Sequence, residues 1–166
     1  MNLPDPNRLI DRLAEQIRPH LHPDSALLGI HTGGVWVMEA LVKRLAVDLP
    51  CGVLDIAFYR DDFSRIGLHP EVKPSSIPFD VEGRPIVLID DVLYTGRTIR
   101  AAINLVFDYG RPASIRLAVL VDRGGRELPV CPDYLGVKMD LEAGQHISLE
   151  RDDHGRLRLA TKRAAP

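Results

Sequence analysis

The stretch VLIDDVLYTGRT, from Val87 to Thr98, constrains this chain more than any other segment. Its apolar start, Val87, Leu88 and Ile89, makes with the preceding Ile86 a run of four without polar alternation, which reads as a strand covered on both faces. Such a strand running into Asp90 and Asp91 is costly, because like charges repel and a buried carboxylate needs a partner. A strand that ends this way ends at something the carboxylates hold. The Thr-Gly-Arg-Thr turn that follows opens a helix and offers backbone N–H groups, hydroxyls and the positive end of a helix dipole, which together make an anion site. Two acceptors placed just before a phosphate cradle suit the vicinal hydroxyls of a ribose. The GxxxxGK[ST] spacing of a Walker loop is missing.

The rest of the chain supplies the frame. Leu9, Ile10, Leu13 and Ile17 fall at helical spacing behind an Asp5-Pro6 start. A strand is expected over Ala26–Ile30, a helix over Val35–Leu49, and a strand over Gly52–Tyr59. PIVLID (Pro85–Asp90) forms the next strand, followed by the turn and by a helix closed at Gly110, where a C-cap glycine belongs. SIRLAVLV (Ser114–Val121) is another strand, with weaker strand signals in YLGVKM and HISLE and a DDHG turn leading to RLRLAT. Strand and helix alternate, so the fold class is α/β with a mostly parallel central sheet flanked by helices. Ligands of such sheets sit at the carboxyl ends of the strands. Three strand ends carry unusual chemistry: HTGG, DDVLYTGRT and DRGGRELP.

Residues 60–84 are polar and proline-rich without sustained period. A connection that long in a compact domain reads as a functional lid, such as an extended flap, or as a disordered segment. The 166 residues are read as one domain, with a carboxyl-terminal hairpin and tail over about 145–166. Net charge of -2 and a pI near 6.3 exclude a global basic field, so any nucleic-acid surface is a local patch. Cys51 and Cys131 show no metal or CxxC spacing and are expected as free thiols of a cytoplasmic protein, with no apolar run long enough to span a bilayer.

The apolar run, acid pair and Thr-Gly-x-Thr turn resemble the phosphoribosyl pyrophosphate signature of the type I phosphoribosyltransferases. With DIAFYRDD (Asp55–Asp62), GRPASIRLAVLVDRG (Gly110–Gly124) and RELP (Arg126–Pro129), the chain is similar to the bacterial pyrimidine operon attenuator and uracil phosphoribosyltransferase family over most of Leu27–Val137. The resemblance implies that Asp90 and Asp91 are the catalytic pair holding the ribose hydroxyls. Val92, Leu93, Tyr94, Thr95, Gly96, Arg97 and Thr98 would complete the ribose and 5′-phosphate site. Thr32, Gly33 and Gly34 would accept pyrophosphate, Arg60 and Asp61 would belong to the flap, and Asp122, Arg123, Val137 and Lys138 would lie at the base. Mg2+ would come in with the substrate, with Asp90 and Asp91 as its protein neighbours. The partners implied are uracil, phosphoribosyl pyrophosphate, UMP and pyrimidine operon leader RNA, in a homodimer or larger homo-oligomer. Arg126 and Arg18 are RNA candidates within a face that Arg8, Arg12, Arg111, Arg116 and Arg123 could extend.

Two positions depart from the family. Relatives often carry Thr-Arg-Gly where this chain has Thr32-Gly33-Gly34, and a histidine where it has Gly125. Two other functions compete with the main expectation. One is a purine phosphoribosyltransferase, against which Tyr94 argues, since hypoxanthine-type enzymes usually place an aspartate there. The other is a nucleotide-sensing RNA-binding regulator with little catalysis.

Overall fold

The computed structural model describes residues 2–57 and 75–163. Helix α1 (Pro6–Ile17) starts where expected, with the Asp5 carboxylate accepting from the Asn7 N–H and proline at the first helical position. After a 3-10 turn at Arg18–His20 come β1 (Ala26–Ile30), α2 (Gly33–Leu45) and β2 (Cys51–Leu54). Then follow β3 (Pro85–Leu93), α3 (Arg97–Tyr109), β4 (Ser114–Asp122) and β5 (Tyr134–Lys138). The antiparallel pair β6 (Gln145–Arg151) and β7 (Leu157–Arg163) completes the described chain.

β1 to β5 form one parallel sheet in the order β2-β1-β3-β4-β5. Both faces are covered, which is why the strands are apolar throughout. Leu27, Val87, Ile89, Ala118 and Leu120 face α1, α2 and the β6–β7 hairpin, while Leu28, Ile86, Leu88, Leu117 and Val119 face α3 and Val81. Each fully buried Leu or Ile contributes on the order of 1.5–3 kcal/mol. The edge of β5 is blunted by Gln16, whose amide donates to the Leu135 carbonyl (2.9 Å) and accepts its N–H (3.1 Å).

The connections place the site. From β1 the chain crosses through α2 on one face and moves outward to β2. From β3 it crosses through α3 on the other face and moves the opposite way to β4. The carboxyl ends of β1 and β3 therefore diverge, and the crevice between them is the topological switch point where open α/β sheets bind ligands.

Four boundaries differ from the sequence expectation. β3 runs on to Leu93, because Val92 and Leu93 pair with Val121 and Asp122 of β4. Asp90 and Asp91 are therefore strand residues. α2 begins at Gly33 and stops at Leu45: Ala46 turns left-handed (φ 51°) and closes onto the Val42 carbonyl, while Arg18 donates to the Leu45 and Arg44 carbonyls. β2 ends at Leu54, where the Asp55 carboxylate accepts the Ala57 N–H and turns the chain. The flap falls largely in 58–74, outside the described residues, and so do Arg60 and Asp61. At its described base, Val53 and Ser76 exchange two backbone hydrogen bonds of 2.8 Å in antiparallel sense, so the returning chain lies against β2.

Candidate active site

β1 delivers His31, Thr32, Gly33 and Gly34 to the crevice, through a cis peptide between His31 and Thr32. The two glycines are the first residues of α2, and both are buried. A Cβ on Gly34 would lie 3.0 Å from the Asp90 Cα and closer still to the Ile89 carbonyl. A Cβ on Gly33 would overlap the Asp91 carboxylate. At Gly34 glycine is a matter of space: α2 starts in direct contact with the end of β3, and only hydrogen fits between the two backbones. The Thr32–Gly34 turn and the acid pair are thus one constellation. Asp90 is only 5% exposed, and its carboxylate accepts the Asp91 N–H at 2.9 Å; Asp91 is half-buried.

Beyond Leu93 the chain leaves the sheet as Tyr94-Thr95-Gly96. Gly96 takes φ +93°, left-handed backbone that a side chain disfavours, and caps α3 without a side-chain hydrogen bond of its own. The Thr95 hydroxyl accepts the Arg97 N–H at 3.2 Å. The next N–H groups of the first turn, at Thr98 and Ile99, have no acceptor within the helix. The 126–130 segment folds over this turn, with the Glu127 and Leu128 N–H groups donating to the Thr95 carbonyl and Val130 and Leu128 packed beside Gly96. Arg97 donates to Glu127 at 2.8 Å.

Across the carboxyl edge, Leu93, Asp122 and Lys138 are register partners in β3, β4 and β5. Burial pushes the Asp122 carboxyl up. The hydrogen bonds from Arg126 (2.6 Å) and the Gly124 N–H (2.9 Å), with the charges of Arg126 and Lys138, outweigh it and hold the group below 3.8. Arg126 also donates to the Tyr94 carbonyl (2.7 Å) and the Val130 carbonyl (2.8 Å). It is a brace joining the phosphate turn, the end of β4 and the covering segment. Arg18, the other arginine singled out for RNA, caps α2. Sequence gave no sign of these roles, since the partners of each lie on segments whose approach only the fold creates.

Tyr94 is 45% exposed and lies under the Arg123 guanidinium, 4.0 Å from ring centroid to Cζ. Gly125, at φ +76°, packs against the same ring so closely that a Cβ would overlap it. Arg123 is steadied by the Gln145 carbonyl (3.0 Å) and His146 (3.3 Å), while its Nε is buried without a hydrogen-bond partner. Val137 precedes Lys138 at the end of β5 and pairs with Val121. Among the described residues no cluster of three or more His, Cys, Asp or Glu could hold a metal, and no helix is long and apolar enough to cross a membrane.

A parallel sheet with a diverging switch point, an acid pair and a glycine-rich helix start defines a class, and comparison with known proteins agrees. The family described as phosphoribosyl transferase domain matches residues 2–153, and the chain belongs to it. More narrowly, the chain belongs to the PyrR family. It is 51% identical over 153 residues to the Bifunctional protein PyrR of Pseudomonas paraeruginosa, covering 90% of each chain, and 56% identical over 147 residues to that of Nitrosococcus oceani, covering 87% and 81%. Among solved structures, a hypoxanthine phosphoribosyltransferase from Staphylococcus aureus has the same fold (TM-score 0.67, 20% identity, 86% of this chain and 76% of that one). A purine phosphoribosyltransferase from Pyrococcus horikoshii is similar as well (TM-score 0.63, 30% identity, 81% and 83%).

Proposed function

We propose that the chain is a bifunctional pyrimidine regulator and uracil phosphoribosyltransferase, forming UMP and pyrophosphate from uracil and phosphoribosyl pyrophosphate. The observation that carries this reading is the contact of Gly33 and Gly34 with Asp91 and Asp90. It sets a backbone anion loop against two carboxylates, one strand end away from the open first turn of α3. Phosphoribosyl pyrophosphate has three parts with the same order. Its 5′-phosphate would sit on Thr95–Thr98, its ribose hydroxyls on Asp90 and Asp91, and its diphosphate on Thr32–Gly34.

In the reaction, the bond from the anomeric carbon to the diphosphate oxygen breaks with its electron pair leaving on diphosphate, and the uracil nitrogen bonds to that carbon as its proton is lost. The developing positive charge on the ribose lies beside two carboxylates, which are placed to stabilise it before the reaction begins. Uracil is acidic enough that little help from a base is required. Catalysis is then chiefly orientation within a rigid strand–helix junction. Mg2+ is usually held by one or two carboxylates plus substrate phosphates rather than by an all-protein cage. Two adjacent carboxylates, Asp90 and Asp91, without a third ligand among the described residues, fit that arrangement. When bound, Mg2+ supplies charge neutralisation to the leaving diphosphate.

The base would lie between the carboxyl ends of β4 and β5, bounded by Tyr94, Arg123, Val137 and Lys138. Asp122 acts there through Arg126, because both of its oxygens are engaged. A purine substrate is the second reading, favoured by the likeness to the Pyrococcus horikoshii enzyme. Tyr94 stands against it, since hypoxanthine-type enzymes usually place an aspartate at that position. We read residues 1–166 as one domain, cytoplasmic and homo-oligomeric.

A turnover assay with phosphoribosyl pyrophosphate, Mg2+ and a panel of bases tests the assignment. Uracil is converted, and hypoxanthine and guanine are not; faster turnover of a purine would overturn it.

A further inference from the structure

On the face of the sheet that carries α1 and α2, a cavity of about 520 Å³ opens between the start of α1, the outer stripe of α2 and the turn of the β6–β7 hairpin. Its volume falls within the range of about 300–1,000 Å³ typical of small-molecule sites. Trp36, Glu39, Ala40, Lys43 and Arg44 line it from α2 at spacings of three and four, which puts them on one helix face. Arg151 and Arg156 line it from the hairpin. Four cations thus face one carboxylate, in a chain whose net charge is -2. The imbalance is local and concave.

The four cations are of two kinds. Arg44 is held by Asp11, by Asn7 at 3.1 Å and by the Ala40 carbonyl at 3.3 Å. Arg151 is held by Glu39 at 3.1 Å and lies over the Trp36 ring, 4.8 Å from its centroid. These two are fixed in place, with their charges partly offset. Lys43 and Arg156 are exposed, and among the described residues neither side chain has a hydrogen-bond or ion-pair partner. The nearby Asp152 carboxylate is committed to the His154 and Arg156 N–H groups and shapes the turn. Two preset guanidiniums, two unpaired cations and a half-buried indole make a surface for several phosphates and a planar ring.

We propose that this cavity is a second anion site, separate from the switch-point crevice, that takes a small polyphosphorylated ligand of the nucleoside triphosphate class. Cations spread around a hollow favour a polyanion over a single phosphate, since each added charge meets a further partner. A hollow of this volume fits a small ligand.

Trp36 is the single tryptophan of the chain, so its emission reports on the cavity directly. ATP and inorganic tripolyphosphate are each titrated into the full chain at physiological salt, followed by calorimetry and by Trp36 emission. The expected result is saturable binding with a change in emission. The variant Lys43→Glu with Arg156→Glu should weaken it by about tenfold or more, because each reversal replaces an attraction with a repulsion. Both positions are exposed, so the variant keeps the wild-type melting temperature, and Lys43→Gln with Arg156→Gln gives the same direction with a smaller loss. Tighter binding of ATP than of tripolyphosphate places the base beside Trp36, and equal binding assigns the site to the phosphates; either supports the proposal. Absence of calorimetric binding, affinity unchanged in both variants, or tighter binding of a single-stranded RNA oligonucleotide than of ATP overturns it.

Discussion

Gly34 and Asp90 meet backbone to backbone across the switch point, close enough that a Cβ on Gly34 would stand 3.0 Å from the Asp90 Cα. Neither partner can give, because Asp90 is fixed by its ladder to Val119 and Gly34 by α2. Gly33 meets a side chain instead, Asp91, whose carboxylate can rotate away although its Cβ, 2.9 Å off, can only shift slightly. The two glycines therefore fail differently. Gly34→Ala should cost about 1–3 kcal/mol in denaturant unfolding, the usual range for overpacking, and should abolish transfer. Gly33→Ala should cost less in unfolding than Gly34→Ala and raise the KM for phosphoribosyl pyrophosphate. Equal behaviour of the two variants in melting and kinetics would show that the α2–β3 contact does not shape the site.

The acid pair offers a separation of fold from function. Asn in place of Asp keeps an oxygen to accept the Asp91 N–H, which the Asp90 carboxylate takes at 2.9 Å, but removes charge. Hydrogen bonds to an ionised acceptor contribute roughly 1.5–3 kcal/mol each. Asp90→Asn with Asp91→Asn should abolish transfer, and the melting temperature should hold or rise as mutual repulsion is relieved. A collapse of the fold would assign the pair a structural role.

Much of this site is written locally in the chain, and the exceptions share a cause. The apolar runs of β1, β3 and β4 announce a sheet covered on both faces, and DDVLYTGRT announces its own chemistry. What escaped depends on segments meeting. β3 extends to Leu93 because β4 runs beside it, and α2 stops at Leu45 without a glycine because Arg18 reaches over from the 3-10 turn. Arg126 has the composition of a surface cation, and only the fold brings the Tyr94 carbonyl, the Val130 carbonyl and Asp122 around it. The need for glycine at 34 is likewise invisible until α2 is set against β3.

Asp122, 6% exposed, pairs with a half-buried Arg126. Arg126→Gln leaves the carboxylate without its main partner and should cost on the order of 3 kcal/mol at neutral pH. The folded-state value of Asp122 lies below its ordinary 3.8. Its contribution is therefore complete above the unfolded value and is lost as pH falls through the folded one. The stability gap between the wild type and Asp122→Asn should be widest near neutrality and close progressively below about pH 4. A gap independent of pH in urea unfolding would exclude the ionised pair as its source.

Gly125 holds Tyr94 beneath Arg123. Alanine there meets two costs: the left-handed backbone at φ +76°, and overlap with the Tyr94 ring. Gly125→Ala should destabilise by about 1–2 kcal/mol. It should raise the KM for uracil while leaving that for phosphoribosyl pyrophosphate near the wild-type value, because in the proposed site the ring would bound the base region and not the phosphate turn. A rise in both constants together would place Tyr94 outside base recognition.

The regulatory half of the proposal makes a separate demand. If leader RNA and uridine nucleotide act on one equilibrium, UMP should tighten RNA binding and RNA should tighten UMP binding by the same factor. Arg126 and Arg18 are bound to internal partners, so the RNA contacts should come from exposed cations such as Arg8 and Arg12 of α1. Arg8→Ala with Arg12→Ala should weaken RNA binding several-fold and flatten the salt dependence by about two contacts' worth of slope, near 0.7–0.9 each. Transfer should be unaffected, since α1 lies away from the crevice. Gel-shift titrations over a range of salt, with and without UMP, measure all three quantities. RNA affinity that ignores UMP and is equal for unrelated sequences would leave the transferase standing alone.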